Sequence, residues 1–161
     1  MKFAFYFVLA AIVLALVATQ AGLLNGRPPA DLGVKDGRLK PPSRTRNSVS
    51  SQATLHPDHP QRGYATIAPL PFKGGGAAES MRALDAVLRD IPGIAVVEQR
   101  SDYVYAQAQT RWLKFVDDLE FWANPASGTV ELRSASRLGR EDFGVNRQRI
   151  EAIRTAYLAM P

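Results

Sequence analysis

The residues best suited to chemistry crowd into one run, Arg133-Ser-Ala-Ser-Arg-Leu-Gly-Arg-Glu-Asp-Phe-Gly-Val-Asn-Arg-Gln-Arg-Ile-Glu151. Guanidinium groups grip carboxylate and phosphate oxygens through fixed forks of N–H donors, and a helix N-terminus adds its own amides. Arg133, Arg137, Arg140 and Arg147, with Asn146 placed to cap a helix, therefore form a candidate anion site. Arg147 and Arg149 stand in the first turn of that helix, where the dipole disfavours cations by a few tenths of a kcal/mol. Two things can offset that: structural ion pairs with Glu141, Asp142 and Glu151, or a bound anion. Gly139 and Gly144 let the intervening loop fold tightly in either case.

A second polar group follows from strand register. Phe115, Leu119 and Phe121 share one face of a strand, and Val130 and Leu132 share one face of the next. Pairing apolar with apolar sets Phe121 near Val130 or Leu132, and Leu119 near Leu132 or Ser134. Asp117 then lands on the core-side face close to Ser134 and Ser136. Asp118 and Glu120 fall on the opposite face within reach of Arg133, with Arg137 further along. A core-side carboxylate must be hydrogen-bonded, or its burial costs several kcal/mol. Ser134, Ser136 or backbone N–H groups of residues 140–145 can satisfy Asp117. Alternatively, Asp117 looks into a small polar pocket at the open end of the sheet.

The remaining residues assign no catalytic group. The chain has no cysteine, which removes thiolate catalysis, disulfides and cysteine metal sites. His56-Pro-Asp-His59 offers two imidazoles and a carboxylate, but on a Pro-rich stretch without a third rigid ligand. Ser50 or Ser51 with His56 and Asp58 lacks a nucleophile-elbow context. Lys73-Gly-Gly-Gly76 has the wrong order for a phosphate-binding loop. Asp118 and Glu120 read as an arginine-paired or solvated face rather than a glycosidase pair. Neither a metal nor a cofactor is implied.

These residues need a scaffold, and the sequence pattern predicts one. Tyr64–Ala68 reads as a short strand stopped by Pro69 and Pro71. Ala77, Met81, Leu84 and Leu88 form one stripe of a helix running to about Asp90, ended by Pro92-Gly93. Strands follow at Ile94–Glu98, Tyr103–Thr110, Lys114–Ala123 and Thr129–Arg137, the last two joined as a hairpin across Asn124-Pro-Ala-Ser-Gly128. A final helix carries Ile150, Ile153, Tyr157 and Leu158. The expected fold is α+β: one domain with an antiparallel sheet of about five strands, in the order strand, helix, four strands, helix, with the helices on one face.

Ahead of that domain, residues 1–24 read as a transmembrane anchor or signal-like segment. Phe3–Leu24 would rise ~33 Å as a helix, enough to cross a bilayer. A cleaved leader would want a more positive start and a clearer small-x-small site than Thr19-Gln20-Ala21. Residues 25–63 read as a basic Pro/Gly-rich tether, and residues 64–161 as the α+β domain. The net charge of +5 sits in the first part: residues 25–50 carry six basic and two acidic residues, whereas residues 51–161 are balanced at thirteen each. A balanced domain argues against nucleic-acid binding. A basic tether suits anionic lipid head groups. The same cations, by the positive-inside rule, would favour a cytoplasmic domain.

The Arg133–Glu151 run resembles the closing signature of the domain of unknown function family DUF1499, R-S-x-S-R-x-G-x-x-D-x-G-x-N-x-x-R-x-E. Asn47-Ser-Val-Ser-Ser-Gln52 resembles that family's N-C-V-S-S-Q segment, with Ser48 in the cysteine's place. The resemblance covers about residues 41–158. It implies shared structure at Asn47, Ser50, Ser51 and Gln52, at Asp117, Asp118, Glu120 and Phe121, and at Arg133, Ser134, Ser136, Arg137, Gly139, Asp142, Gly144, Asn146, Arg149 and Glu151. It supplies no reaction. It also implies an exported or lumenal location, which favours an extracytoplasmic domain on a single-pass membrane protein. The expectation is a non-enzymatic, membrane-tethered domain that binds a protein partner or small anionic ligand at the membrane surface. One alternative is an enzyme of unassigned reaction, centred on Asp117 and the Arg133–Arg147 arginines. Another is a structural envelope protein.

Overall fold

The computed structural model describes residues 2–160. An N-terminal helix α1 (Lys2–Gln20) leads to a short strand β1 (Ser48–Ser50), a helical turn α2 (Arg62–Ala65) and a two-residue strand β2 (Leu70–Pro71). Then come helix α3 (Gly76–Asp90), strands β3 (Ile94–Gln99), β4 (Tyr103–Gln109), β5 (Val116–Asn124) and β6 (Thr129–Ser136), and helix α4 (Val145–Ala159). The sheet is antiparallel in the order β1-β6-β5-β4-β3, with β2 also pairing β6. The α+β class and the meander of four consecutive strands agree with the sequence reading.

Alternation explains why one face of this sheet carries the helices. Val104, Ala106, Leu119, Phe121 and Leu132 point the same way and are fully buried against Leu84, Leu88, Ile150, Ile153 and Tyr157 of α3 and α4. The register is the one that pairs apolar with apolar: Phe121 faces Leu132, Leu119 faces Ser134, and Asp117 faces Ser136.

Two local expectations differ. Tyr64–Ala68 is not a strand. The chain turns helically, with Ala65 N–H donating to the Gln61 carbonyl at 2.8 Å. The Tyr64 and Thr66 carbonyls accept from Arg147, and Thr66 makes an isolated bridge to Ser50 of β1 rather than a ladder. The segment 25–63, expected as a tether, is in part structural. Ser48–Ser50 is a sheet strand, and Leu39 is buried against Tyr103 and Tyr105 on the face away from the helices. Prolines blocked helix here, as expected, but they did not keep the chain off the sheet.

Helix α1 is long and apolar enough to cross a membrane, and its side chains are almost all exposed. It ends at Gln20 rather than Leu24. Gly22 adopts φ +88, and the N–H groups of Gly22 and Leu23 close onto the carbonyls of Thr19 and Ala18. This is a Schellman-type stop that a glycine makes inexpensive.

Candidate functional site

On the helix side, at the end where β5 starts and β6 stops, a buried polar cluster joins the sheet to α4. Asp117 lies opposite Ser136, and its Oδ2 accepts from Nη2 of Arg149 at 2.7 Å. Arg149 also donates through Nη1 to Asn146 Oδ1 at 3.1 Å. Asn146 is fully buried, and the Ser134 hydroxyl donates to its Oδ1. Its amide donates to Ser136 Oγ at 3.0 Å and to Asp142 Oδ2 at 2.8 Å. Asn146 is therefore not the helix cap that its position in the sequence indicated. Gly144, at φ +82, holds that place, and the Asp142 carboxylate takes the Gly144 and Asn146 N–H groups. With that task already filled, the asparagine side chain turns inward and stitches strand to helix.

Asp142 is held by more than its backbone amides. The Tyr64 hydroxyl donates to it. Burial pushes the Asp142 carboxyl up, but hydrogen bonds from Tyr64, Asn146 and the two amides outweigh this and hold it below the usual carboxylate range. Burial and the Asp142 charge push the Tyr64 phenol up to about 12.

The opposite face carries two more acid–arginine pairs. Asp118 receives Arg137 through both Nε, at 2.9 Å, and Nη2, at 2.7 Å, a bidentate clasp. Tyr105 adds its hydroxyl to Asp118 at 2.6 Å. Glu120 is fully buried, and its Oε1 accepts from the Gly33 N–H at 2.7 Å and from the Tyr103 hydroxyl at 2.9 Å. Arg133, also buried, lies 3.7 Å from Glu120 Oε2 and donates through Nε to the Pro41 carbonyl. Burial pulls the Arg133 guanidinium down from its very high ordinary value, against the pull of Glu120 and Asp118. Residues 33–41 therefore cover this face and are held by it.

The structure does not bring the candidate anion-site residues together. Arg133 and Arg137 lie on the face covered by residues 33–41. Arg147 lies on the helix side and binds the Tyr64 and Thr66 carbonyls at 2.6 and 2.9 Å. Arg140 is exposed on the loop between β6 and α4. Each buried arginine has a partner inside the fold, which removes the electrostatic debt that a bound anion was invoked to cover. The polar centre Asp117, Ser134 and Ser136 is assembled, with Arg149 as the cation. That arginine was flagged in the sequence for its awkward place in the first turn, and the i-to-i+3 spacing from Asn146 to Arg149 was the signal linking it to the cluster. Tyr103 and Tyr105 were the other omission. Alternation puts them on the Asp118 and Glu120 face, and this was readable from β4 alone.

Two cavities border these groups. One, of about 310 Å³, is lined mainly by apolar atoms, with Phe115, Leu138 and Phe143 around it and Asp117 and Ser136 among its polar lining. The other, of about 400 Å³, lies in the segment before β1 and is lined by Lys35, Arg38, Lys40 and His56, with Asp31 and Asp36. Lys40 is paired with Asp31 at 2.6 Å. The His56 Nε2 is buried with no hydrogen-bond partner among the described residues. Burial, then the charges of Arg38 and His59, hold the His56 imidazole below its ordinary value. Among the described residues, no group of three or more His, Asp or Glu is placed to hold a metal ion.

A family model described as "Protein of unknown function (DUF1499)" matches residues 38–157. That span begins in the segment that covers the second sheet face and ends in α4. No curated protein and no solved structure matches the chain.

Proposed function

The chain belongs to the DUF1499 family, and we propose that it is a non-enzymatic module, held at a membrane by α1, that binds a protein partner or a small anionic ligand at the membrane surface. The observation that carries this reading is the join between helix and domain. The exposed apolar helix ends at Gln20, whose Nε2 donates to the Trp112 carbonyl at 2.8 Å. A bilayer holding α1 therefore lies within a side chain's length of the folded domain. The family resemblance favours the extracytoplasmic side.

The ligand's place in this reading is the cleft before β1. Lys40 is taken by Asp31, which leaves Lys35 and Arg38 unpaired among the described residues around an unpartnered His56 nitrogen. Burial is the main cause that lowers His56, and the Arg38 charge that adds to it is one an anion would neutralise. The test uses the purified full chain in detergent, titrated with inorganic phosphate and followed by thermal unfolding. Phosphate at ten times its Kd should add roughly 1.4 kcal/mol, a rise of a few degrees in Tm. Lys35→Ala with Arg38→Ala should abolish the rise, and no rise in the wild type would sink the anion reading. Resistance of the full chain to carbonate extraction from membranes tests the anchor. Protease accessibility in sealed vesicles of known orientation tests the side.

One observation favours the second reading, an enzyme. Asp117 borders the apolar cavity with Ser136 and Asp142. Its carboxylate is already committed to Arg149, which fits an oriented group as well as a structural one. Asp117→Asn would keep the shape and remove the charge. Because the variant leaves Arg149 without its counter-charge, some loss of stability is expected, and the reading requires loss of turnover under conditions where the variant is still fully folded.

A further inference from the structure

We propose that the end of the sheet beside the anchor is a membrane-seated rim, in which Trp112, Leu113 and Phe143 enter the interfacial layer of the bilayer that holds α1, with Arg111 and Lys114 facing anionic head groups. The proposal rests on the anchor reading and adds to it the domain's orientation.

Three contacts place this end against the point where α1 stops. Gln20 donates to the Trp112 carbonyl, and Gln109 Nε2 reaches Asn25 Oδ1 at 3.5 Å. Gly26 packs so closely on β6's end that a Cβ there would lie 2.8 Å from the Arg137 Cβ. The loop between β4 and β5 and the loop between β6 and α4 therefore cannot be far from the plane the helix leaves.

Those loops expose what such a plane would take up. Trp112 is 69% exposed, Leu113 45% and Phe143 86%. The apolar cavity lined by Phe115, Leu138 and Val145 borders Phe143, and yet the ring of Phe143 stays exposed. Phe143 holds φ +52 and Lys114 φ +60, the left-handed region that bulky L-residues rarely adopt. At Phe143 the conformation belongs to a turn closed by the Val145 N–H on the Asp142 carbonyl at 3.0 Å, and that turn presents the aromatic ring to solvent. The Arg111 guanidinium lies 5.2 Å from the Trp112 ring centroid. An indole with a cation over its face is apolar on one side and charged on the other, which is the chemistry of the aromatic belt at a lipid–water interface. Lys114, two residues on, adds a second cation for the same head groups.

The test uses the full chain reconstituted in vesicles of zwitterionic and anionic lipid, with Trp122→Phe so that Trp112 is the one indole. Trp122 packs beside Tyr103 and Leu39 on the covered sheet face, away from the rim. Flotation after carbonate treatment first establishes insertion. Lipids brominated near the head-group end of their acyl chains should then quench Trp112 at least about twofold, and aqueous iodide should quench it about twofold less than in the denatured chain. The reciprocal variant, Trp112→Phe, should show no bromine quenching. Because the chain has no cysteine, Phe143→Cys can carry a single spin label as an independent readout. Its collisions should be more frequent with dissolved oxygen than with an aqueous nickel chelate. A chain that floats but whose Trp112 is open to iodide and untouched by bromine overturns the rim and leaves the anchor standing. Shielding from iodide without bromine quenching overturns it in favour of a protein interface. Failure to float overturns the rim and the anchor together.

Discussion

Nη1 of Arg133 and Oε2 of Glu120 are 3.7 Å apart, both side chains are buried, and that carboxylate oxygen accepts no hydrogen bond among the described residues. The pair attracts without being well joined. Its other contacts, Gly33 N–H and Tyr103 to the glutamate and Arg133 to the Pro41 carbonyl, are what tie residues 33–41 to the sheet. Removing one partner leaves a buried charge, so Arg133→Ala or Glu120→Ala should each cost about 3–5 kcal/mol. Replacing both, Arg133→Met with Glu120→Leu, should recover only part of that loss: it removes the uncompensated charge but leaves the Gly33 N–H, the Tyr103 hydroxyl and the Pro41 carbonyl without these partners. Urea unfolding of the three variants checks it. A double variant no better than either single one would mean that the contacts to Gly33, Tyr103 and Pro41, rather than an uncompensated charge, carry the loss.

The Asp117–Arg149 pair should behave differently, because its contact is close, at 2.7 Å, and Arg149 is also bonded to Asn146. Arg149→Ala strips Asp117 of its cation and Asn146 of a donor, and should cost about 2–4 kcal/mol. Arg149→Lys should recover only part, since a single ammonium cannot reach Asp117 and Asn146 in the fork geometry of a guanidinium. Chemical denaturation of the two variants against wild type provides the measurement. Equal stability of the lysine variant and wild type would show that charge alone matters there.

The contrast between these pairs shows what could be read in advance. Phe121 opposite Leu132 followed from a period of two and one buried face, and that register carried Asp117 to the helix side and Asp118 and Glu120 to the other. Which face is buried follows from alternation only while one face is wet. Here both are covered, the second by a segment whose prolines and glycines carry no period at all. Gly33 and Pro41 act through single contacts 87 and 92 positions away, and Leu39 packs on Tyr103 and Tyr105, 64 and 66 positions away; local pattern holds no trace of those. Nearness in sequence groups the arginines wrongly for a related reason: Arg133 and Arg137, four residues apart, share the covered face, whereas Arg147 stands on α4, on the other side of the sheet.

Asp142 gives a pH dependence with a definite sign. Its folded pKa lies below the ordinary carboxylate value, so between the two the unfolded chain binds more protons. The stability its charge contributes is complete above about pH 4, near the unfolded value, and disappears as pH falls through the lower folded value. Asp142→Asn should be less stable than wild type at neutral pH, with the gap closing as pH falls below about 4. Tyr64→Phe should move wild type's acid limb to higher pH, because it removes a hydrogen bond that holds Asp142 charged. Thermal unfolding from neutral pH to pH 3 would show both shifts. A gap that stays constant with pH would mean that shape, not charge, is what Asp142 contributes.

Phe143 offers a test in which stability and membrane contact move in opposite directions. Its backbone is left-handed and its ring exposed, so in water the residue costs conformational energy and gains little from packing. Asparagine tolerates that conformation far better than phenylalanine. Phe143→Asn should therefore stabilise the detergent-solubilised chain by about 0.5–1 kcal/mol. The loss should fall on the bilayer side: in vesicles, bromine quenching of Trp112 should weaken as the rim loses an aromatic ring. Glycine is the poorer choice, because its extra freedom in the unfolded chain offsets the relief. Urea midpoints in detergent and quenching in vesicles, on the same preparation, read the two effects separately. A variant that is stabilised with quenching unchanged would place the membrane contact on the loop between β4 and β5 alone. A variant that is destabilised would show that the ring packs against the domain in a way its exposure conceals.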